Sequence, residues 1–365
     1  VRVHVVDPSA FTPPYDHALC AALAAAGTKV ELHTSRFAYG PVAAPAGYAR
    51  HESFYRVAAR VPGARARRAV KLLEHVPDML RYRRRARAAE IVHFQWLTVQ
   101  HLDGHLLPRG RPLVLTAHDI LPREPRPGQL AAQRRLYEHF DAVIVHSEQG
   151  AARLRALGVA QERVHVIPHG AFTHLAAGPR QAPAFATELP VVLCFGLMRP
   201  YKGIDLLLEA WEGVTGAELW IAGMPRMDIA PLQAAAPSGV RFVGRFIGDR
   251  ELPAFFARAD LVVLPYREID QSGVLFTALA FGKPLLLSDV GGFPEVGAHS
   301  GARIFPAGDA QALRNALLEL LADRDALAQM GLRSRAAAEG PYSWGVAARS
   351  TVALYERLLQ ENPRR

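Results

Sequence analysis

The sequence predicts an α/β protein made of two doubly wound, parallel-sheet domains. Three observations carry this. Short apolar runs alternate with alanine-rich or amphipathic segments along most of the chain, the pattern of repeated βαβ units. The alternation breaks over residues 171–190 and then restarts. A length of 365 residues is long for one core and comfortable for two.

In order, residues 1–6 read as a buried strand, 7–15 as a turn-rich loop, 16–26 as a helix stopped by Gly27, and 29–34 as a second strand. The first turn has no G-x-G-x-x-G, which argues against a nicotinamide dinucleotide. Residues 40–62 are irregular and 64–89 read as basic helices. Strands follow at 91–94, 113–117, 142–146 and 164–168, ending at Gln95-Trp96, His118-Asp119, Ser147 and His169-Gly170. The break holds Gly178, Pro179, Pro183 and Pro190 and is expected to be a linker. Beyond it, strands are expected at 191–195, 218–222, 240–243, 261–265 and 285–288. Helices are expected at 204–212, 228–236, 250–258, 274–281, 309–322 and 323–338. The expected division is therefore 1–170, a linker at 171–190, 191–343, and an amphipathic tail at 344–365.

Half of the residues are hydrophobic, and the two cysteines, Cys20 and Cys194, sit in apolar segments as expected of buried thiols. No signal peptide or membrane span is read, and a reducing cytoplasm is the expected compartment. The net charge is +9. Arg65, Arg67, Arg68 and Lys71, then Arg81, Arg83, Arg84, Arg85 and Arg87, form a basic cluster. A solvated helix face is one reading. A peripheral contact with anionic membrane is another. Nucleic acid is not expected as a partner, because the cluster has no aromatic interleaving and no recognised module.

Two loops carry the chemistry. Gly196-Leu197-Met198-Arg199-Pro200-Tyr201-Lys202-Gly203 joins a strand to a helix, and Arg199 and Lys202 suit a diphosphate. Taken alone, such a loop is an ordinary solvated one. However, residues 267–272 form a polar loop after another strand on the same sheet edge, and a helix opens at Gly273. Backbone N–H groups of Gly273, Val274 and Leu275 could receive phosphate or ribose oxygens. Asp270 is the candidate for holding sugar hydroxyls, or else a helix cap, as are Gln271 and Ser272. No Asp-x-Asp metal motif is read in the loops that follow strands, and there is no zinc-type spacing, so no metal is expected. No G-x-S-x-G elbow marks a hydrolase.

Gly282-Lys283-Pro284 and Gly291-Gly292-Phe293-Pro294-Glu295 resemble the donor-binding region of the retaining glycosyltransferases of family 4. The resemblance implies the GT-B fold: two Rossmann-like domains, a cleft between them and a C-terminal crossover helix. It aligns the family's first donor-site acid with Asp270 and its second, ribose-binding acid with Ala278, so the acid pair is incomplete here. It implies that Arg199 and Lys202 hold the donor diphosphate and that Gly244, Arg245 and Phe246 lie near the base. It also puts His118 and Asp119, with the loop of Thr12 and Tyr15, on the acceptor side. His146, Ser147 and His169 are weaker candidates of the same kind. The implied activity is transfer of a hexose from a nucleotide diphosphate sugar to an acceptor hydroxyl with retention, with no cofactor beyond that co-substrate. A silent nucleotide-sugar-binding protein and a GT-B epimerase are the rival readings.

Overall fold

The computed structural model describes residues 1–122, 125, 127–178, 182 and 185–361. The chain divides into two compact units: Val1–Gly170 with the stretch from Trp344 onward, and Ala171–Ser343.

The first unit is built on seven parallel strands: β1 (Arg2–Asp7), β2 (Lys29–Ser35), β3 (Ala49–Phe54), β4 (Ile91–Phe94), β5 (Leu113–Thr116), β6 (Ala142–Val145) and β7 (Val164–Val166). Their order is β3-β2-β1-β4-β5-β6-β7, so the winding reverses between β1 and β4. β4, β5 and β6 are buried along their whole length, which explains their continuous apolar runs. Five helices accompany the sheet: α1 (Pro13–Ala25), α2 (Ala64–Arg85), α3 (Gln100–Leu106), α4 (Gln129–Tyr137) and α5 (Glu148–Ala156). Met79 and Tyr82 of α2 pack with Val6, Val92 and Phe94 of the sheet. Each such apolar side chain contributes about 1.5–3 kcal/mol on burial.

The second unit has a six-stranded parallel sheet. After α6 (Thr173–Ala176) come β8 (Val191–Phe195), α7 (Ile204–Trp211), β9 (Glu218–Ala222), α8 (Ala230–Ala234), β10 (Val240–Val243), α9 (Leu252–Arg258) and β11 (Leu261–Leu264). Then follow α10 (Gly273–Ala280), β12 (Leu285–Ser288), α11 (Phe293–Ser300), β13 (Arg303–Phe305), α12 (Ala310–Ala322) and α13 (Arg324–Glu339). The order β10-β9-β8-β11-β12-β13 reverses between β8 and β11. Leu207 and Trp211 of α7 share a core with Leu313 and Leu317 of α12. The last helix, α14 (Trp344–Glu361), packs along α1 of the first unit. Its Tyr355 hydroxyl lies 2.6 Å from His93 Nδ1 on β4. Cys20 and Cys194 are buried and free.

Several elements differ from the expectation, for local reasons. α1 begins at Pro13, because proline loses nothing at the first helical position. Residues 40–62 contain β3, an edge strand whose exposed Ala49, His51 and Glu52 hide it from an apolar pattern. Gly291-Gly292 leads directly into α11, and β13 follows it; neither element is among those expected. The start of the expected linker is part of the second unit. There, the Phe172 N–H donates to the Phe276 carbonyl, and α6 packs on α10. Pro179 and Pro183 of that linker, and residues 362–365 of the tail, lie outside the described residues.

Candidate active site

In the second unit, the loops after β8 and β11 meet where the strand order reverses, the usual ligand position in open α/β sheets. The loop after β8 turns through a short 3₁₀ segment, Pro200–Lys202, with Arg199 half-buried and extended at its start. Lys202 is buried. Its ammonium donates to the Tyr266 hydroxyl at 2.5 Å and lies 3.8 Å from that ring's centre. The Tyr266 hydroxyl is 3.4 Å from Ser272 Oγ, at the start of α10. Gly196 completes the group. A Cβ placed there would sit 3.0 Å from Val274 and 3.9 Å from Lys202 Nζ. Thus Gly196, Lys202, Ser272 and Val274 are brought together around Tyr266.

Two glycines make this possible. Gly203 has φ +65°, and a Cβ there would lie 2.0 Å from the Pro265 carbonyl oxygen. Gly291 has φ +56°, and a Cβ there would lie 2.0 Å from the Ile269 carbonyl oxygen. The loop after β11 is therefore seated between backbones that only glycine allows so close. Ser288 Oγ donates to the Tyr266 carbonyl at 2.7 Å, and Arg267 pairs with Asp205 at 2.7 Å. Lys283 of the Gly-Lys-Pro motif is structural, since its Nζ donates to the Ala257 carbonyl at 3.0 Å.

Ser272 takes the N-cap position of α10, but its side chain does not cap the helix. Gln271 Oε1 accepts the Ser272 N–H at 3.1 Å. Asp270 is buried in the loop, and Gln271 keeps its Nε2 buried without a hydrogen-bond partner. An unpartnered Gln271 Nε2 beside the start of α10 is a place for a ligand's acceptor atom. Leu275 is fully buried and its N–H is already bonded to the Ser272 carbonyl. It is therefore not a phosphate donor, unlike the expectation. Ala278 has no exposed surface, so the position aligned with the ribose-binding acid has been absorbed into the core.

Gly244, Arg245 and Phe246 follow β10, two strands from β8. The loops are linked through Met198, bridged to Pro225, and through Gly244, whose added Cβ would approach Pro225 at 3.5 Å. Arg245 is engaged with Glu251 in a two-pronged ion pair. Its guanidinium is thus occupied by Glu251, just ahead of α9.

In the first unit, strand ends on both sides of the β1/β4 reversal gather aromatic and imidazole rings. Tyr15 is buried in α1, with His118, His169 and Trp344 at ring-centre distances of 4.6, 4.8 and 5.0 Å. Its hydroxyl is held protonated by burial. His118 stacks on Trp96 at 4.9 Å and its Nε2 lies 3.2 Å from Gln95 Oε1. Trp96 Nε1 donates to Thr12 Oγ1 at 2.9 Å. Asp119 is half-buried beside His118. Burial pushes His118 and His169 well below the ordinary imidazole value, and His146 to about 4, so these rings are neutral at physiological pH. A neutral imidazole there can hydrogen-bond a hydroxyl but supplies no charge. Gln95 Nε2 and His146 Nε2 are buried without partners. Ser147 caps α5, its Oγ accepting from the Gly150 N–H at 3.0 Å, so it is structural.

Two parallel-sheet units with their switch-point loops and a tail helix packed on the first define a GT-B fold. The first unit matches the family model described as Glycosyltransferase Family 4 over residues 15–174. The second matches that described as Glycosyl transferases group 1 over residues 189–323. Alpha-maltose-1-phosphate synthase of Mycolicibacterium smegmatis is 30% identical over 312 residues, covering 75% of this chain and 80% of that protein. D-inositol 3-phosphate glycosyltransferase of Nocardia farcinica is 28% identical over 282 residues, 68% of this chain and 62% of that protein. Among solved structures, sucrose-phosphate synthase from Thermosynechococcus elongatus superposes with a TM-score of 0.76 at 21% identity, over 99% of both chains. The chain belongs to glycosyltransferase family 4. It spans less than two thirds of the length of some curated relatives, 62% of the inositol phosphate enzyme.

Sequence reasoning missed the acid pair that holds the loop after β1. Asp7 is buried and accepts the N–H groups of Ser9, Phe11 and Thr12 at 3.1, 2.6 and 3.3 Å. Asp16, one turn into α1, is buried against it and hydrogen-bonded to it. Burial, then the charge of Asp7, pushes Asp16 well above the ordinary carboxylate range, so Asp16 carries the proton. Folded chains hold this proton at pH values where unfolded chains release it. The stability it supports is complete below the ordinary carboxylate pKa. It falls as pH rises towards the folded pKa of Asp16, by at most about 1.4 kcal/mol per pH unit. Asp16→Asn keeps a donor for Asp7 without the proton. Urea unfolding between pH 5 and 8 is expected to show a flatter pH dependence for Asp16→Asn than for the unaltered protein. Identical slopes would remove the shared proton from this account.

Proposed function

We propose that this chain is a retaining hexosyltransferase that uses a nucleotide diphosphate sugar. The observation that carries the reading is the buried Lys202 ammonium, held over Tyr266 beside Gly196 and the start of α10. A cation kept out of water at a helix start favours a compact anion, and a diphosphate leaving group is one. Arg199, in the same loop, adds a fork that grips phosphate oxygens. Gly273 and Val274 N–H groups receive further oxygens, Asp270 and Gln271 face the sugar, and Gly244, Arg245 and Phe246 border the base. His118, with Asp119, Thr12 and Tyr15 behind it, belongs to the acceptor side in the first unit, where neutral rings suit a sugar or polyol hydroxyl.

The bond from the anomeric carbon to the phosphate oxygen breaks, and its electron pair leaves with the diphosphate. The acceptor oxygen bonds the same face of that carbon, and its proton passes to the departing phosphate. No protein carboxylate need act as nucleophile, unlike in glycosidases. The chain contributes positioning and stabilisation of the leaving charge, without a metal ion in that role.

A second reading concerns location. No described helix is long and apolar enough to cross a membrane. α2, however, exposes Leu72, Leu73 and Leu80 among its arginines. Apolar side chains set among cations are the pattern of a helix that lies on anionic lipid. We infer a peripheral membrane contact through this helix. Binding to anionic vesicles is expected to fall with salt and with Leu73→Asp, whereas equal binding to neutral vesicles, or none to either, would contradict it.

The clamp has its own test. Arg199→Ala is expected to slow transfer by roughly ten- to a thousand-fold, as lost electrostatic stabilisation does. Lys202→Ala is expected to do the same and to lower stability as well, because Lys202 is buried against Tyr266. A screen of labelled nucleotide sugars, followed by product analysis, reads the rate and separates transfer from epimerisation or silent binding. Unchanged turnover in the double variant would rule the clamp out.

A further inference from the structure

The first sheet carries a second polar cluster, in the middle of β1, β2 and β3. His4 on β1 pairs with Glu31 on β2, and Val6 with His33, so His4, Glu31 and His33 lie on one face. His33 in turn pairs with His51 on β3. Glu31 Oε2 is 3.7 Å from His4 Nε2, 3.7 Å from His33 Nε2 and 3.3 Å from His51 Nε2. His4 and His33 are buried, at 1% and 3% exposure. Both ring nitrogens of His4 and Nε2 of His33 have no hydrogen-bond partner. Three orphaned imidazole nitrogens around one carboxylate are costly unless something else satisfies them.

A metal ion beside Glu31 takes one nitrogen from each ring, His4 Nε2 and His33 Nε2. Zinc bonds of about 2.0–2.2 Å in tetrahedral geometry separate neighbouring ligand atoms by roughly 3.4 Å. Glu31 Oε2 lies 3.7 Å from each of His4 Nε2 and His33 Nε2, slightly above that figure, and the ligand atoms of the three residues all lie within 4.8 Å of one another. Ser53 Oγ, 3.4 Å from His33 Nδ1, is placed to hold the ring from behind. The cluster forms part of the lining of a cavity of about 1140 Å³ whose other walls include Arg36, Arg50, Arg84 and Arg85.

We propose that His4, His33 and Glu31 bind a divalent transition-metal ion of the Zn²⁺ type, with His51 beside Glu31 and an open coordination position towards the cavity. Glu31 supplies one counter-charge. The arginine walls favour an anion as the outside ligand, which supplies more. Nothing in the proposed transfer chemistry passes through this ion.

The test uses untagged full-length protein, stripped with a chelator and dialysed against micromolar Zn²⁺, with bound metal counted by mass spectrometry. One ion per chain is expected. Glu31→Gln, nearly isosteric and partly exposed, is expected to weaken binding at least tenfold, as is His33→Ala. His139→Ala, an exposed histidine outside the cluster, should bind as the unaltered protein does. Co²⁺ should give visible ligand-field bands that Glu31→Gln lacks. If His33→Ala fails to fold, Glu31→Gln decides. No stoichiometric ion in the unaltered protein, or equal binding by Glu31→Gln, overturns the proposal.

Discussion

The second unit depends on one close approach. The loop after β11 fits between Gly203 and Gly291, whose missing side chains leave room for the Pro265 and Ile269 carbonyls. Any Cβ at either place would sit 2.0 Å from a backbone oxygen, which no side-chain adjustment relieves. With the loop so seated, Tyr266 points its hydroxyl at Lys202 and at the first residue before α10. The Lys-Gly and Gly-Gly motifs thus have a physical reason before any ligand is considered. They fix the distance between a cation and a helix start.

The first unit uses a different device. Its switch-point residues are desolvated rings and a shared proton, so charge is removed where the second unit concentrates it. That contrast matches a division in which one unit holds an anionic donor and the other a neutral hydroxyl. It also accounts for the tail helix: Trp344 and Tyr355 close over Tyr15 and His93, and their burial keeps those groups neutral.

Much of the fold was legible because parallel strands buried on both faces leave continuous apolar runs, and β8, β9, β11 and β12 follow them closely. β3 was not, because an edge strand need not alternate. In the site, Lys202 and Gly273 were readable from loop position, whereas Tyr266 was not, since an aromatic after a strand looks like core. The Asp7–Asp16 pair and the His4–Glu31–His33 cluster were invisible for a simpler reason. Their members are far apart in sequence, and only strand register or the turn of α1 brings them together. Ala278 shows the reverse limit: motif spacing located it, but its burial could be read only from packing.

The central claim is that Lys202, Arg199 and the start of α10 recognise the second phosphate of a nucleotide. Isothermal titration of the unaltered protein with a nucleoside diphosphate and with its monophosphate measures this directly. A charge-assisted contact is worth roughly 1.5–3 kcal/mol, so the diphosphate should bind at least about tenfold more tightly. Equal affinities would contradict the account.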